Sequence, residues 1–239
     1  MKIVILAGGR GTRMGSLTED IPKPMVKLAD KPLIEHQIEL VKKFNYKDIS
    51  ILTGYKGEVI KNYFIDGRKW NVNINYHSDP KPLGTSGSLK EIENTISDTF
   101  ILLYGDTMID IDLKDLLKFH QDKGGIATLV VHPNDHPFDS DLLEVDENDR
   151  VISFFSKPHK KKSYHRNLVN AALYVLSPKI FQFIKKNSFS DFGKDIFPKL
   201  MSTNLSIFAY NTTQYIKDVG TIERLKEVES DYLSGKVNR

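Results

Sequence analysis

Hydrophobic positions in the first half of the chain alternate between short apolar runs and longer segments with helical spacing. The run Lys2–Ala7 is nearly continuous and β-branched, which is typical of a strand buried on both faces. After Pro32, apolar residues recur every three or four positions as far as Phe44, and this spacing predicts a helix. The same reasoning predicts strands at Asp48–Thr53, Val72–Tyr76, Phe100–Tyr104 and Ile126–His132, and helices at Gly57–Phe64, Thr85–Ile96 and Leu113–His120.

The second half adds a predicted hairpin and several shorter elements. Leu142–Val145 and Val151–Phe155 flank a polar turn and are predicted to pair. Further strands are predicted at Asn167–Leu176, Leu205–Tyr210 and Tyr215–Lys217, and helices at Pro178–Lys186, Lys194–Met201 and Thr221–Leu233. Strands that alternate with helices predict an α/β fold: a Rossmann-like, mostly parallel sheet flanked by helices, with a small antiparallel lobe in the second half.

Composition and charge exclude several classes of protein. The 239 residues carry 34 basic and 31 acidic side chains, and this balance is too mild to predict a nucleic-acid partner. The lack of cysteine excludes a disulfide scaffold and any thiolate nucleophile or metal ligand. The apolar run at residues 3–7 is too short for a signal peptide, and no stretch approaches the ~18 apolar residues that span a membrane. We therefore expect a cytoplasmic protein without a membrane partner, folded as a single domain over residues 1–239.

A glycine-rich loop after the first strand is the strongest candidate for chemistry. Gly8, Gly9 and Gly11 allow backbone N–H groups to converge on an anion, and Arg13 adds a bidentate phosphate donor. Ligands of α/β proteins bind where parallel strands end, which is the position of this loop. It is not a dinucleotide fingerprint, because Met14 stands where glycine is required, nor a Walker A loop. The alternative is a tight turn with a solvated arginine.

A stiff turn places Lys23 between Pro22 and Pro24. Each proline fixes its own φ and restricts the preceding residue, so the turn can aim an ammonium group at a phosphate. We expect Lys23 to face solvent, so that its replacement leaves the melting temperature almost unchanged. The alternative is a surface turn whose exposed lysine has no function.

These motifs and several later ones resemble, in the same order, those of the sugar-1-phosphate nucleotidyltransferases, over residues 1 to about 233. The resemblance rests on Gly8-Gly9-x-Gly11-Thr12-Arg13, Leu17-Thr18, Pro22-Lys23-Pro24, Pro82–Leu89, Gly105-Asp106, Lys157-Pro158, Val169–Tyr174 and Asp218–Thr221. It implies the fold of that family and an enzyme that joins a sugar 1-phosphate to a nucleoside triphosphate, releasing pyrophosphate.

The resemblance also implies a role for each motif. The catalytic residues would be Arg13, Lys23 and Asp106. Mg²⁺, the implied cofactor, would be held by Asp106 and Asp218, and the sugar phosphate by Gly105, Lys157 and Asn170. The nucleotide would contact Leu6, Ala7, Gly8, Gly9, Gly11, Thr12, Arg13, Lys23, Gly84, Thr85 and Ser86. Residues up to about 135 would form the nucleotide-binding part, and about 136–239 the sugar-phosphate-binding part.

Within the family, the chain is most similar to guanylyltransferases that act on D-glycero-α-D-manno-heptose 1-phosphate. This similarity lies in His77–Leu89, Lys157–His159, Asn167–Tyr174 and Asp191–Pro198. It implies GTP, with mannose-1-phosphate guanylyltransferase as the closest alternative and other nucleotide and sugar pairs left open. The ending Asp231–Val237 is similar to the junction with a C-terminal phosphatase domain, so such a domain or partner stays open, as does a homo-oligomer.

The chain departs from the family pattern at three places. Gly15-Ser16 stand where a proline usually precedes Leu17-Thr18. Ser156 stands before Lys157 where many members have a glutamate that binds a sugar hydroxyl. Ala171-Ala172 replace a common Ala-Gly, which would narrow the space near the sugar.

The implied reaction needs no general base, because the second pKa of a phosphate monoester is ~6 and the attacking oxygen is already ionised near neutral pH. The chain offers no obvious Ser–His or His–carboxylate pair. We expect Asp106 and Asp218 to face the glycine-rich loop and to share one Mg²⁺ with substrate oxygens. Two carboxylates without a cation repel each other, so the metal should bind weakly until the nucleotide arrives.

Other functions remain as alternatives. Asp110 and Asp112 match the Asp-x-Asp of glycosyltransferases that use nucleotide sugars, although Asp112 also suits the N-cap of the next helix. A non-catalytic nucleotide-sugar sensor should have lost Lys23, Asp106 or Asp218, and the chain keeps all three.

Two histidine-containing segments have weaker alternatives. His132 and His136 have the spacing of a helical zinc pair, but Pro133 and Pro137 predict a loop there. The basic run His159–Lys162 could steer anionic substrates, and a solvated loop is its simpler interpretation.

Overall fold

A computed structural model describes residues 1–159 and 166–237. In chain order the strands are β1 (Lys2–Ala7), β2 (Lys27–Leu28), β3 (Lys31–Pro32), β4 (Asp48–Thr53), β5 (Asn73–Ser78), β6 (Phe100–Tyr104), β7 (Thr107–Asp110), β8 (Ala127–His132), β9 (Leu142–Val145), β10 (Val151–Phe155), β11 (Val169–Leu176), β12 (Ile207–Asn211) and β13 (Tyr215–Asp218). The α-helices are α1 (Leu33–Lys43), α2 (Gly57–Phe64), α3 (Gly84–Lys90), α4 (Leu113–Lys123), α5 (Phe197–Met201) and α6 (Ile222–Leu233). The predicted fold class is confirmed: a mostly parallel sheet is flanked by helices and accompanied by small antiparallel sheets.

The chain divides into two compact units whose segments alternate along the sequence. The first contains Met1–Pro82, Leu102–Leu113 and the chain from Gln214 onward, and the second contains Leu83–Ile101 and Lys114–Thr213. Neither unit ends near residue 135. None of the helices in the described residues is long and apolar enough to cross a membrane.

The first unit is built around parallel strands. β1 pairs with β4, and β4 pairs with β5. Ile3, Val4 and Ile5 are completely buried, as expected for a strand covered on both faces. Ala7 lies opposite Thr53 in the register, so β1 and β4 end at the same edge. The loops that follow these two strands therefore begin side by side.

A short antiparallel ladder in the first unit was not predicted. β7 pairs with β13, although β7 is only four residues long and follows β6 after Gly105 and Asp106. A run this short carries little alternation, which is why the pattern did not show it. A buried hydrophobic cluster joins the loop after β1, β7, the residue after β13 and α6: Met14, Val26, Leu28, Leu33, Met108, Val219, Val228, Tyr232 and Val237.

Asp231 of α6 fixes β13 to this helix. Its carboxylate accepts hydrogen bonds from the Tyr215 hydroxyl at 3.0 Å, Lys217 Nζ at 3.0 Å and Lys236 Nζ at 2.6 Å. The hydrogen bond from Lys236 is the largest influence on the pKa of Asp231, which is lowered to about 2. The carboxylate therefore stays ionised near neutral pH. It holds the side chains of two β13 residues, Tyr215 and Lys217, against α6.

The second unit has the strand order β10-β9-β11-β8-β12, in which β12 runs parallel to β8 and the other pairs are antiparallel. The predicted hairpin of β9 and β10 is confirmed at its predicted bounds. The register of β11 shifts between Asn170 and Tyr174. Ala172 lies in this irregularity with φ at +56°, a left-handed conformation that favours glycine.

Some helices of the second unit differ from their predicted bounds. The segment predicted as one helix at 85–96 is α3 followed by a 3₁₀ turn at Glu93–Thr95. The predicted helix at 178–186 is a 3₁₀ helix, Pro178–Phe183. A π-helical turn, Phe192–Ile196, precedes α5 because the Asp191 carboxylate accepts hydrogen bonds from the backbone N–H groups of Gly193 and Lys194. This cap starts the helical segment two residues earlier than predicted.

Candidate active site

The glycine-rich loop leaves the end of β1 with exposed Gly8, Gly9 and Arg13. It turns at Gly11, whose φ of +70° lies in the left-handed region. A Cβ on Gly11 would lie 2.8 Å from Cβ of Lys23, so a glycine is also required by the close approach of that side chain. The loop continues as a 3₁₀ segment, Thr12–Thr18, anchored by the completely buried Met14. The predicted phosphate loop is therefore shaped by direct contact with the predicted phosphate-binding lysine.

Lys23 is buried and paired, which corrects the expectation that it faces solvent. Only 7% of the residue is exposed, and its Nζ lies 2.5 Å from Oδ2 of Asp106. The turn Lys23–Met25 is a 3₁₀ helix with Pro24 at its start, and this conformation directs the side chain inward toward Asp106. Two residues that sequence analysis selected from separate motifs are thus in direct contact.

Gly105 sets the position of Asp106 relative to β1. Its backbone N–H donates to the carbonyl oxygen of Leu6 at 2.9 Å. A Cβ at Gly105 would lie 3.1 Å from that oxygen and 3.2 Å from Cγ of Pro24, so the residue is confined between the end of β1 and the lysine turn. Its predicted contact with the sugar phosphate stays a prediction.

The ladder of β7 and β13 brings the two predicted metal aspartates together. Asp218 lies opposite Thr107 in the register, and the Val219 N–H donates to the Asp106 carbonyl oxygen at 2.8 Å. Asp218 itself accepts from Nη1 of Arg224 on α6 at 2.8 and 2.7 Å. Residues remote in sequence are therefore neighbours in the first unit, beside the lysine turn.

Gly220 lies close to the Asp218 carboxylate and to the guanidinium of Arg13. A Cβ at Gly220 would lie 2.7 Å from Oδ2 of Asp218, 3.2 Å from Nη2 of Arg13 and 3.3 Å from Nη1 of Arg224. Two guanidinium groups thus lie close to the Asp218 carboxylate. Sequence analysis missed Arg224, which lies three residues beyond Thr221 at the start of α6 and has no motif of its own.

The donor set of Asp106 and Asp218 fits Mg²⁺, which prefers carboxylate and phosphate oxygens and takes few protein ligands. Each carboxylate already has a cationic partner, Lys23 or Arg224, so the negative charge here is partly balanced. Within residues 1–159 and 166–237, no three His, Cys, Asp or Glu side chains come together as a metal site. A metal bound here would take its remaining ligands from substrate oxygens or water.

Tyr55, which sequence analysis missed, holds the glycine-rich loop from the end of β4. Its N–H donates to the Gly8 carbonyl at 3.3 Å, and its hydroxyl donates to the carbonyls of Glu19 at 2.8 Å and Thr18 at 3.3 Å. The guanidinium of Arg10 lies 5.2 Å from the centroid of the Tyr55 ring. The available signal was its place two residues after β4, a parallel strand next to β1.

The second unit contains the loop predicted to border the nucleotide base. Gly84 has φ at +74°, and a Cβ there would clash with the Ser190 carbonyl oxygen. The Thr85 hydroxyl donates to Oδ2 of Asp191 at 2.8 Å, and the Ser86 hydroxyl donates to Oγ of Ser190 at 2.8 Å. Ser86 is completely buried, so its side chain and that of Thr85 hold segment 188–192 in place. A contact between this loop and the nucleotide stays a prediction. Because the hydroxyls of Thr85 and Ser86 already donate within the protein, the backbone groups of the loop are the better candidates for that contact.

The predicted sugar-phosphate residues Lys157 and Asn170 also lie in the second unit. Lys157 is exposed, and its backbone N–H donates to Oδ1 of Asp141 at 3.0 Å. The N–H of Asn170 donates to the Asp141 carbonyl at 2.9 Å, and its side-chain amide donates to the Tyr174 hydroxyl at 2.8 Å. Asp141 therefore connects the two predicted residues. Of the basic run His159–Lys162, residues 160–162 lie outside the described part of the chain.

The weaker candidates have local contacts. Asp110 ends β7 opposite Tyr215, and the Asp112 N–H donates to Oε1 of Gln214 at 3.0 Å. His132 ends β8 and His136 precedes a 3₁₀ turn at Pro137–Asp139, so the segment between them is not helical. The predicted loop at this position is confirmed.

The sequence is similar to known proteins along most of its length. A family model described as nucleotidyl transferase matches residues 2–235. A D-glycero-α-D-manno-heptose 1-phosphate guanylyltransferase from Campylobacter jejuni is 38% identical over 227 residues, which cover 93% of this chain and 96% of that protein. A UTP–glucose-1-phosphate uridylyltransferase from Synechocystis is 32% identical over 236 residues, 93% of this chain, and the chain spans 61% of the length of that relative.

Solved structures show the same similarity. HddC from Yersinia pseudotuberculosis matches with a TM-score of 0.82 and 28% identity, covering 97% of this chain and 99% of that one. The same protein complexed with GMP-PN matches with a TM-score of 0.81 and 27% identity, with the same coverage. Because the family model covers nearly the whole sequence and the relatives match it along most of its length, the chain belongs to the nucleotidyl transferase family.

Proposed function

We propose that the protein transfers a guanylyl group from GTP to D-glycero-α-D-manno-heptose 1-phosphate, which gives a GDP-sugar and pyrophosphate. The observation that carries the proposal is the contact between Lys23 and Asp106 at 2.5 Å, with Asp218 at a neighbouring backbone position. This group of charged side chains lies beside a loop of exposed glycines at the end of β1. Such a combination suits a triphosphate, whose charge must be balanced before another phosphate can approach.

In the reaction, an oxygen of the sugar phosphate attacks the α-phosphorus of GTP. A bond forms between these two atoms, and the bond from the α-phosphorus to the oxygen bridging to the β-phosphate breaks. The electron pair leaves with pyrophosphate. No proton transfer is required because the attacking phosphate is already ionised. Catalysis therefore consists of positioning and of charge stabilisation.

The residues of the first unit supply that stabilisation. Backbone N–H groups at Gly8, Gly9 and Gly11 bind the phosphates of the nucleotide, and Arg13 adds a guanidinium. Lys23 donates to the phosphate oxygens on which charge accumulates. Mg²⁺, held by Asp106 and Asp218 when bound, would neutralise part of the charge of the phosphates. In the second unit, Lys157 and Asn170 bind the sugar 1-phosphate.

The base and the sugar are proposed from similarity. The guanylyltransferase from C. jejuni covers this chain almost end to end, which supports GTP and a heptose 1-phosphate. Mannose 1-phosphate is the second candidate, because a mannose-1-phosphate guanylyltransferase from Arabidopsis thaliana is 32% identical over 241 residues. The uridylyltransferase from Synechocystis is also 32% identical to this chain, so the nucleotide has to be tested directly.

A pyrophosphate-release assay tests the assignment. ATP, GTP, UTP, CTP and dTTP are each combined with heptose, mannose and glucose 1-phosphates in the presence of Mg²⁺. We expect the highest kcat/KM with GTP and the heptose, because a site built for guanine leaves polar groups unpaired with another base. Faster turnover with UTP or dTTP would overturn the guanylyl assignment. Binding of a nucleotide sugar without any pyrophosphate release would instead indicate a sensor.

Tyr55 should contribute to nucleotide binding through the shape of the glycine-rich loop. Tyr55→Phe removes the hydroxyl that donates to Glu19 and Thr18 and keeps the ring next to Arg10. We expect KM for the nucleotide to rise roughly 3- to 10-fold with kcat within about 2-fold, which is the scale of one hydrogen bond. Steady-state kinetics measure this, with Tyr46→Phe as the control. An unchanged nucleotide KM would show that the hydroxyl contacts do not shape the site.

A further inference from the structure

Asp141 connects three segments of the second unit around the predicted sugar-phosphate residues. Its Oδ1 accepts the Lys157 N–H at 3.0 Å, and its carbonyl accepts the Asn170 N–H at 2.9 Å. Its Oδ2 would lie 2.5 Å from a Cβ at Gly193, so the carboxylate touches the backbone of the π-helical turn. Asp141 therefore lies where the segments carrying Lys157, Asn170 and Gly193 meet.

The two oxygens of this carboxylate differ in what they bind. Oδ1 is engaged by Lys157, whereas Oδ2 accepts no hydrogen bond from any residue of the described ranges 1–159 and 166–237. Its close neighbour Gly193 has no side chain to donate one. The residue is only partly buried, so a ligand can reach it. An ionised carboxylate oxygen is a strong acceptor, and it needs a donor.

Ser156 does not supply a comparable acceptor at this place. Its hydroxyl donates to the Gly193 carbonyl at 2.7 Å, so it is used to fix the π-helical turn. The Asp191 carboxylate also lies near Gly193, but its Oδ1 already accepts hydrogen bonds from the backbone N–H groups of Gly193 and Lys194, so Asp141 is the better placed charged acceptor for a ligand. Sugar ring hydroxyls are donors, whereas a phosphate repels a carboxylate. Asp141 is therefore suited to the ring of a sugar phosphate and Lys157 to its phosphate group.

We propose that Asp141 determines specificity for the sugar by accepting a hydrogen bond from one ring hydroxyl of the sugar 1-phosphate through Oδ2. This inference rests on the proposed function. The substrate class is a hydroxylated aldose 1-phosphate, and a sugar that lacks the recognised hydroxyl is a poorer substrate. The contact contributes to sugar binding and leaves nucleotide binding unchanged.

The experiment uses the full chain with Asp141→Asn, which keeps the size of the side chain and an acceptor for the Lys157 N–H. Initial rates with GTP are measured for mannose 1-phosphate and for its 2-, 3-, 4- and 6-deoxy analogues, and the heptose 1-phosphate is run in parallel. We expect KM for the sugar phosphate to rise about 10-fold or more, as for loss of a charge-assisted hydrogen bond, with KM for GTP within about 2-fold. Asp139→Asn, an exposed carboxylate in the same loop, is the matched control and should behave as wild type.

The deoxy series separates recognition from loop structure. One deoxy analogue should be poor with the wild type and should lose nothing more in Asp141→Asn, because the hydroxyl that the carboxylate binds is already absent. An equal loss with every analogue, or a similar rise in KM for GTP, assigns Asp141 a purely structural role and overturns the inference. An unchanged sugar KM in an active, folded Asp141→Asn enzyme overturns it as well. A wild-type enzyme that releases no pyrophosphate with any sugar phosphate overturns the proposed function itself.

Discussion

Lys23→Met is expected to lower turnover by ~100-fold or more, the scale of removing one donor that stabilises developing charge. The Lys23 ammonium lies 2.5 Å from Asp106 and next to the loop whose glycine at position 11 touches its stem. Methionine keeps most of the stem that packs on Gly11 and removes only the charged end. The measurement is kcat from pyrophosphate release at saturating nucleotide and sugar phosphate.

The burial of Lys23 also changes the expected effect on stability. A solvent-facing lysine could be replaced at almost no cost, but this residue is 7% exposed and its loss leaves Asp106 without its partner. We expect the free energy of unfolding to fall by about 1.5–3 kcal/mol, as for a hydrogen bond to a charged group. Urea unfolding measures this.

Lys27→Met is the control, because Lys27 is exposed and lies four residues further along the chain. It should retain both turnover and stability. Normal turnover in a folded Lys23→Met enzyme would remove Lys23 from the catalytic machinery. A loss of stability without a loss of turnover would mean that the ion pair with Asp106 serves the fold alone.

The sequence predicted the elements whose apolar runs are continuous and bounded by turn residues. β1, β4, α2, β6 and the hairpin of β9 and β10 have their predicted bounds, because each is a distinct run between polar or glycine-containing turns. β7 was not predicted, because a run of four residues close to β6 is too short to show a hydrophobic periodicity. The pairing of β7 with β13 depends on contacts between segments about a hundred residues apart, which no local pattern encodes.

For the candidate site too, the sequence predicted some residues and missed others. The resemblance to the family's motifs selected Arg13, Lys23, Asp106 and Asp218, and all four lie in the first unit. Their partners could not be predicted, because they come from tertiary packing: Arg224 reaches Asp218 from α6, and Tyr55 reaches the glycine-rich loop from the end of β4. The exposure of Lys23 was predicted wrongly for the same reason, since its burial depends on the approach of Asp106.

Asp218→Asn should lower turnover by roughly 100-fold or more and raise the Mg²⁺ concentration needed for half-maximal rate by about 10-fold, because an amide is a weaker ligand than a carboxylate for a hard cation. The position matters because Asp218 lies next to Asp106 across the β7–β13 ladder and near the guanidinium of Arg13. Rates measured over a Mg²⁺ series at fixed nucleotide give both quantities. The amide retains the size of the side chain, and the hydrophobic cluster around Val219 keeps the segment in place, so the variant should stay folded.

Asp110→Asn is the matched control for this prediction, because Asp110 lies in the same ladder at the opposite end, facing Tyr215. If Asp110 and Asp112 were the metal ligands of a glycosyltransferase, Asp110→Asn would lose activity and Asp218→Asn would keep it. If Asp218 binds the metal, the order is reversed, and Asp110→Asn keeps both its turnover and its Mg²⁺ dependence. Near-normal rates at low Mg²⁺ in Asp218→Asn would show that the two aspartates of the first unit do not share a metal, even though the ladder makes them neighbours.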